Sequence, residues 1–192
     1  MKISDAFARP KAAPSPAVLV GFAAIGMAAG LAANFGRKLL VQGPSLLRRD
    51  WQKALQTEHR TVFRLLDALE ATEETQKAKR SMLLTQIKHL LGKHAFEEEN
   101  VIYPAMRDHG LAEEAEQLIT DHGDVKHALF ELEMMAPNAP RFLSKVGELR
   151  SALETHIAEE EETLFPALAA ALSDADGARL TASMNKEGLK LA

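Results

Sequence analysis

The 192-residue chain contains no cysteine. Disulfides, thiolate-bound zinc, iron–sulfur clusters and cysteine nucleophiles are excluded together. The compartment stays open, because a cysteine-free chain suits either side of a membrane. Aromatic residues are also scarce: Trp51 and Tyr103 are the only members of their types, beside eight phenylalanines. That leaves no surface on which bases or sugars could stack. Positive charge is not in excess, since 23 Lys and Arg face 27 Asp and Glu for a net charge of −4. Nucleic acid is therefore not an expected partner, because a phosphate backbone selects basic surfaces. No stretch alternates with period two, so no sheet is expected, and no nucleotide-binding loop or His-Glu-x-x-His motif occurs.

Charge is missing most completely near the start. Ala12 to Gly36 holds no charged residue and is rich in Ala, Val, Leu, Ile, Met, Phe and Gly. About 20 such residues cross a hydrocarbon core of about 30 Å. Residues 16–36 are read as a single-pass membrane anchor, after a tail over 1–15 and before a linker over 37–50. A cleaved signal peptide and a packing helix of a soluble protein are the alternatives. Arg37, Lys38, Arg48, Arg49 and Lys53 weight the C-terminal flank with positive charge, which favours a cytoplasmic position for the rest of the chain. Gly26 and Gly30 form a small-xxx-small pair through which such an anchor could oligomerise.

Beyond the linker the chain carries a repeat. His94-x-x-x-Glu98-Glu99 runs on to Ile102-Tyr103-Pro104, and His156-x-x-x-Glu160-Glu161 runs on to Leu164-Phe165-Pro166. Glu58-His59 and Asp121-His122 form a second pair of matching phrases. The offsets are 63 residues from 59 to 122 and 62 from 94 to 156.

Apolar residues at three- and four-residue steps predict four helices, at about Leu47–Glu70, Lys77–Met106, Ala112–Met135 and Pro140–Leu172. Short connections make neighbours antiparallel. The expected fold is all-α, an up-down-up-down four-helix bundle over residues 51–172, preceded by the N-terminal hydrophobic helix. The tail over 173–192 is expected to be short and mixed, with one or two helical turns between Ala178 and Lys186.

His59, His94, Glu98, His122, His156 and Glu160 fall where the stripes call for apolar side chains. Burying them without partners would cost about 1–3 kcal/mol for each unsatisfied polar group and more for a charge. Cations would use all six. Residues four apart share a helix face, so each His-x-x-x-Glu aims a nitrogen and a carboxylate at one point. The expectation is a dinuclear site, with His59 and His94 at one ion, His122 and His156 at the other, and Glu98 and Glu160 bridging. Mixed imidazole and carboxylate ligands suit two iron ions, with manganese and zinc as alternatives.

On these phrases the chain, from Trp51 to Leu172, resembles the hemerythrin-like, His-His-Glu cation-binding family. It is similar to membrane-associated bacterial members of that family. Oxygen-carrying members place a histidine four residues after the third-helix one, where this chain has Lys126, and an aspartate where it has Glu161. His127 lies about 140° further round the helix. With four histidines the chain resembles the non-carrier branch, which implies iron handling, oxygen or redox sensing, or a nitric-oxide and oxidative stress response. The lack of cysteine sets it apart from the iron–sulfur repair members. Ferritin-like proteins carry Glu-x-x-His instead.

Three functions are expected on this basis. The first is a di-iron protein that binds or senses oxygen, nitric oxide or peroxide, or holds labile iron. The second is a di-iron peroxidase or NO-reducing enzyme, and the third is a metal-stabilised structural or interaction module. Whether the chain is an enzyme is not decided by its residues. His89, His109 and His127 read as ordinary surface or turn residues, and Glu97, Glu99, Glu159, Glu161 and Glu162 as a solvated face, with an extra or alternative ligand among them as the sharper reading. Tyr103 reads as core packing, with a hydrogen bond to a metal-bound ligand as the sharper alternative. Pro104 and Pro166 are expected to kink or end their helices.

Overall fold

The computed structural model describes residues 50–191, and every regular element among them is helical. The anchor proposed for 16–36, the linker before residue 50 and the expected start of the first helix at Leu47 lie outside the described residues. Among the described residues, no helix is long and apolar enough to cross a membrane.

Helix α1 spans Trp51–Glu70. The Asp50 carboxylate caps it by accepting the Gln52 N–H at 3.0 Å, which satisfies one of the orphan donors of a first turn. Helix α2 spans Lys77–Glu97, and a π-helical turn over Glu98–Ile102 carries it into α3, Tyr103–Asp108. Helix α4 spans Ala112–Met134. Helix α5, Phe142–Glu159, passes through a second π-turn, Glu160–Leu164, into α6, Phe165–Ala171. Gly110, between α3 and α4, has φ +85°, a left-handed conformation that closes a helix end at little cost only for glycine.

Neighbouring long helices run in opposite directions, as the cross-helix pairs show. Arg80, near the start of α2, donates to Thr72 just beyond the end of α1. Lys88 of α2 pairs with Glu133 of α4, while Lys126 of α4 pairs with Glu99. Lys145 of α5 meets Glu131 of α4, and Arg150 of α5 reaches Asp67 and Glu70 of α1.

The bundle interior has two apolar clusters. One contains Val62, Leu66, Leu91, Val125, Leu129, Leu153 and Ile157. The other contains Trp51, Leu55, Ile102, Tyr103, Leu118, Phe165 and Met184. His59 lies between Leu55 and Val62, and His122 between Leu118 and Val125, so the polar layer separates the clusters. Each large apolar side chain fully buried on either side stabilises by about 1.5–3 kcal/mol, and that burial supports the costly layer between.

The π-turns are a departure from the expected kinks. Tyr103 donates its N–H to the Glu98 carbonyl and Phe165 to the Glu160 carbonyl, each across five residues. The prolines enter one residue later, in the first turn of α3 and α6, where no N–H partner is required. The chain therefore stays helical beyond both prolines. In an α-helix a residue five positions on is about 140° round the axis. A π-turn brings it back towards the same face, so Glu98 and Tyr103 both face the core.

The tail corrects the expectation for 173–192. Residues Asp174–Leu191 form one 18-residue helix, α7, rather than one or two turns. Met184 is fully buried, and the Thr181 hydroxyl accepts the Trp51 N–H at 3.2 Å. Helix α7 buries only Thr181, Met184 and Gly188, and its Asp, Asn and Gly residues are weak helix formers, which hid its length in the sequence.

Candidate metal centre

Each π-turn begins at a buried glutamate, and each long helix delivers one buried histidine. Atoms of His59, His94, Glu98 and Glu160 lie within 4.8 Å of one another, and so do atoms of Glu98, His122, His156 and Glu160. The structure thus brings together all six residues singled out in the sequence, in two histidine pairs that share both carboxylates. Glu98 Oε2 lies 3.1 Å from His94 Nε2 and 3.3 Å from His122 Nε2. Glu160 spans the other diagonal, with Oε2 3.5 Å from His59 Nε2 and Oε1 3.5 Å from His156 Nε2.

The outer nitrogens explain why the inner ones converge. His59 Nδ1 meets Glu161 at 2.6 Å, His94 Nδ1 meets Glu58 at 3.2 Å, and His122 Nδ1 meets Glu99 at 2.9 Å. Asp121 stands 3.5 Å from His156 Nδ1, in ion-pair range without a hydrogen bond. A carboxylate on Nδ1 fixes the proton there, turns the Nε2 lone pair inward and raises its basicity. Glu99 and Glu161 therefore lie on the centre's outer layer and not on a freely solvated face. Their position immediately after Glu98 and Glu160 was the available signal. Glu97 also departs from the expected solvated face. It is fully buried and accepts from Lys93 Nζ at 2.8 Å, while Lys93 also donates to Glu58 at 2.5 Å. Glu159 and Glu162 are exposed, as are His89, His109 and His127.

Tyr103 sits at the edge of the six. Its hydroxyl donates to Glu160 Oε1 at 2.8 Å, with His122 Nε2 at 3.2 Å and Glu98 Oε2 at 3.4 Å. One hydroxyl hydrogen thus faces three acceptors. Burial and the two carboxylates push its ionisation far above the ordinary tyrosine value, so it stays a donor.

The donor set fits cations on three observations. His59 Nε2 and His94 Nε2 face each other at 2.9 Å, although both Nδ1 atoms already address carboxylates. The raised proton affinity of His94 lets one proton bridge the pair in metal-free protein, and a cation beside both nitrogens would take that proton's place. Two nitrogens bound about 2.1 Å from one cation at a right angle would stand about 3.0 Å apart. Finally, Glu98 Oε1, Glu160 Oε2 and His156 Nε2 are buried without a hydrogen-bond partner, which is costly in a low-dielectric interior.

Proton affinities point the same way. Burial raises the Glu160 pKa well above the carboxylate range, and the nearby Glu98 carboxylate adds to it. Burial works against a charged His94, yet Glu98 and Glu58 outweigh it and raise its pKa. Burial lowers His156 to about 4 and also lowers His59, keeping both neutral with lone pairs available. Burial opposes ionisation of Glu58, but the His94 hydrogen bond and the Lys93 ammonium hold its carboxyl at about 2.

Four imidazoles and two carboxylates converging inside an antiparallel helical bundle define a histidine–carboxylate cation site of the bundle class. The chain matches the hemerythrin HHE cation binding domain over residues 52–168 and belongs to that family. It is 28% identical over 129 residues to a protein of Nostoc sp. named DNA nickase, covering 67% of this chain and 36% of that one. It is 30% identical over 100 residues to an uncharacterized hemerythrin-like protein of Schizosaccharomyces pombe, covering 50% of this chain and 49% of that one. The chain thus spans between about a third and a half of the length of these relatives. No solved structure matches.

Proposed function

We propose that the chain is a non-haem di-iron protein that binds or senses oxygen, nitric oxide or peroxide, or holds labile iron, in a stress response. The observation that supports it best is the inward convergence of four Nε2 atoms whose Nδ1 atoms each face a carboxylate. His59 and His94 would hold one iron, His122 and His156 the other, with Glu98 and Glu160 shared between them. A pair of irons supplies electrons and open coordination positions for a small ligand. The chain's own groups orient the imidazoles through Glu58, Glu99, Asp121 and Glu161, and exclude water with the two apolar clusters. Tyr103 presents a hydroxyl proton beside Glu160. The apolar segment over 16–36 would tether this domain to a membrane, on the cytoplasmic side.

The test is to load the full chain with ferrous iron without oxygen, measure bound metal, and follow the visible spectrum as oxygen or nitric oxide is admitted. About two irons per chain and a new charge-transfer band are expected from carboxylate-bridged ligation. A chain that retains no stoichiometric iron would remove this reading.

Tyr103 favours a second reading, turnover of peroxide or nitric oxide at the same centre. Turnover above that of free iron, lost in Tyr103→Phe with iron content unchanged, would establish it. The Nostoc relative is named for nicking DNA, but a net charge of −4 is not the basic balance that phosphate backbones select.

A further inference from the structure

Between α2 and α4 the bundle is not filled. These two helices pack against each other more sparsely than the other neighbouring pairs. A cavity of about 230 Å³ lies in the gap, bounded inside by the four histidines and reaching the exposed Gly92. Its walls are Leu91, Val125, Leu129, Leu153 and Ile157, and they are almost entirely apolar. At the mouth stand Phe130, which is 56% exposed, and the Lys88–Glu133 pair, whose charges satisfy each other at 2.5 Å.

Size, polarity and access each constrain the occupant. A diatomic needs only a small part of this volume, whereas an apolar cavity of about 150 Å³ already accepts benzene. Outside the histidine end, the walls offer water almost no hydrogen-bond partners, and ordered water needs about two to four. At the mouth, Gly92 weakens a helix interior with no local steric need. Its φ is not positive, and a Cβ there would meet nothing within 4 Å. What the missing side chain does is leave the doorway wide.

We infer that this chamber binds an uncharged apolar organic molecule of about benzene size or somewhat larger, with one edge against the histidine side chains. The inference deepens the proposed centre by naming the class of molecule held beside it. It rests on that reading only for any chemistry after binding. The two lysines near the opening are engaged with Glu133 and Glu99, so a charged head group gains nothing there.

Fluorobenzene is the probe, titrated into the full chain and followed by ¹⁹F NMR, with metal content measured on the same samples. Saturable binding is expected, weakened at least about tenfold in Gly92→Phe, which blocks the doorway, and in Leu129→Phe, which fills the chamber. Benzoate should bind at least about tenfold more weakly than fluorobenzene, because its carboxylate would be desolvated without a partner. Circular dichroism identifies any variant that fails to fold, and the other variant then carries the comparison. No saturable binding, or binding indifferent to the substitution in a folded variant, overturns the proposal. An iron-loaded chain that ignores fluorobenzene would sink this inference and leave the metal centre standing. A chain that takes fluorobenzene but no metal would do the reverse.

Discussion

Glu58 accepts from Lys93 Nζ and meets His94 Nδ1, so one carboxylate ties a buried ammonium to a candidate ligand. Its depressed pKa has a definite consequence in metal-free protein. A carboxyl held at about 2 in the fold, against an ordinary 4.5, contributes stability that is fully present above about pH 4.5. That contribution fades as pH falls towards about 2. Wild type should therefore be more stable than Glu58→Gln at neutral pH, with the difference shrinking over that window. Urea melts of both proteins between pH 2 and 7 test this, and a pH-independent gap would refute it. Tyr103→Phe should cost about 1–2 kcal/mol, the loss of one buried hydrogen bond together with the less satisfied acceptors around it. Thermal melts would show this, and an unchanged midpoint would mean the hydroxyl bonds are energetically empty.

The ligand spacing was legible because residues four apart share a face of any α-helix, and His-x-x-x-Glu uses that rule directly. Tyr103 was legible as a core residue, but its bond to Glu160 was not, because it stands five residues after Glu98, and five steps point elsewhere on a regular helix. Only the π-turn brings it back. Glu97, Glu99 and Glu161 were hidden for a different reason. A run of acidic residues resembles a solvated face until the imidazole or ammonium that receives each one is in place.

At the scale of elements, α2 and α7 make contrasting predictions. Gly92 sits in the interior of α2 with space around it, so Gly92→Ala should stabilise by about 1 kcal/mol through helix propensity alone. An alanine methyl is too small to close the doorway, so fluorobenzene binding should survive. A destabilised Gly92→Ala would reveal a steric role that the open space does not suggest. In α7, Met184 is fully buried among residues of the second cluster. Met184→Ala should cost about 2–5 kcal/mol, as for other buried large-to-small changes. Chemical denaturation gives the value, and a near-zero cost would mean that α7 only rests on the bundle. The existence of the long helices was readable from their stripes. The packing of α7 was not, because an amphipathic pattern does not say which surface receives its buried Met184.

For the whole molecule, the centre links metal, protons and folding. Burial and Glu98 raise the proton affinity of Glu160, and Glu98 and Glu58 raise that of His94. Cations entering among these atoms must displace protons. Metal uptake should therefore release protons and raise the melting temperature with the logarithm of ligand excess. Titration of weakly buffered protein with ferrous or zinc ions reads the first effect and thermal melts the second. Uptake without acidification would contradict the assigned protonation. The fold class was legible at this scale from four apolar stripes joined by short turns. The chamber between α2 and α4 was not, since a void is a property of how far two helices stand apart and not of any residue pattern.

The outer carboxylates pass around the bundle in one direction. Glu58 of α1 supports the histidine of α2, Glu99 after α2 supports that of α4, Asp121 of α4 faces that of α5, and Glu161 after α5 returns to that of α1. The two sequence repeats are therefore not two self-sufficient halves. Severed at the turn between α3 and α4, the chain would leave His59 in one fragment and its Glu161 in the other, and part His122 from Glu99. The internal symmetry works as an obligate exchange, and each repeat supplies carboxylates to the other's histidines that neither could provide alone.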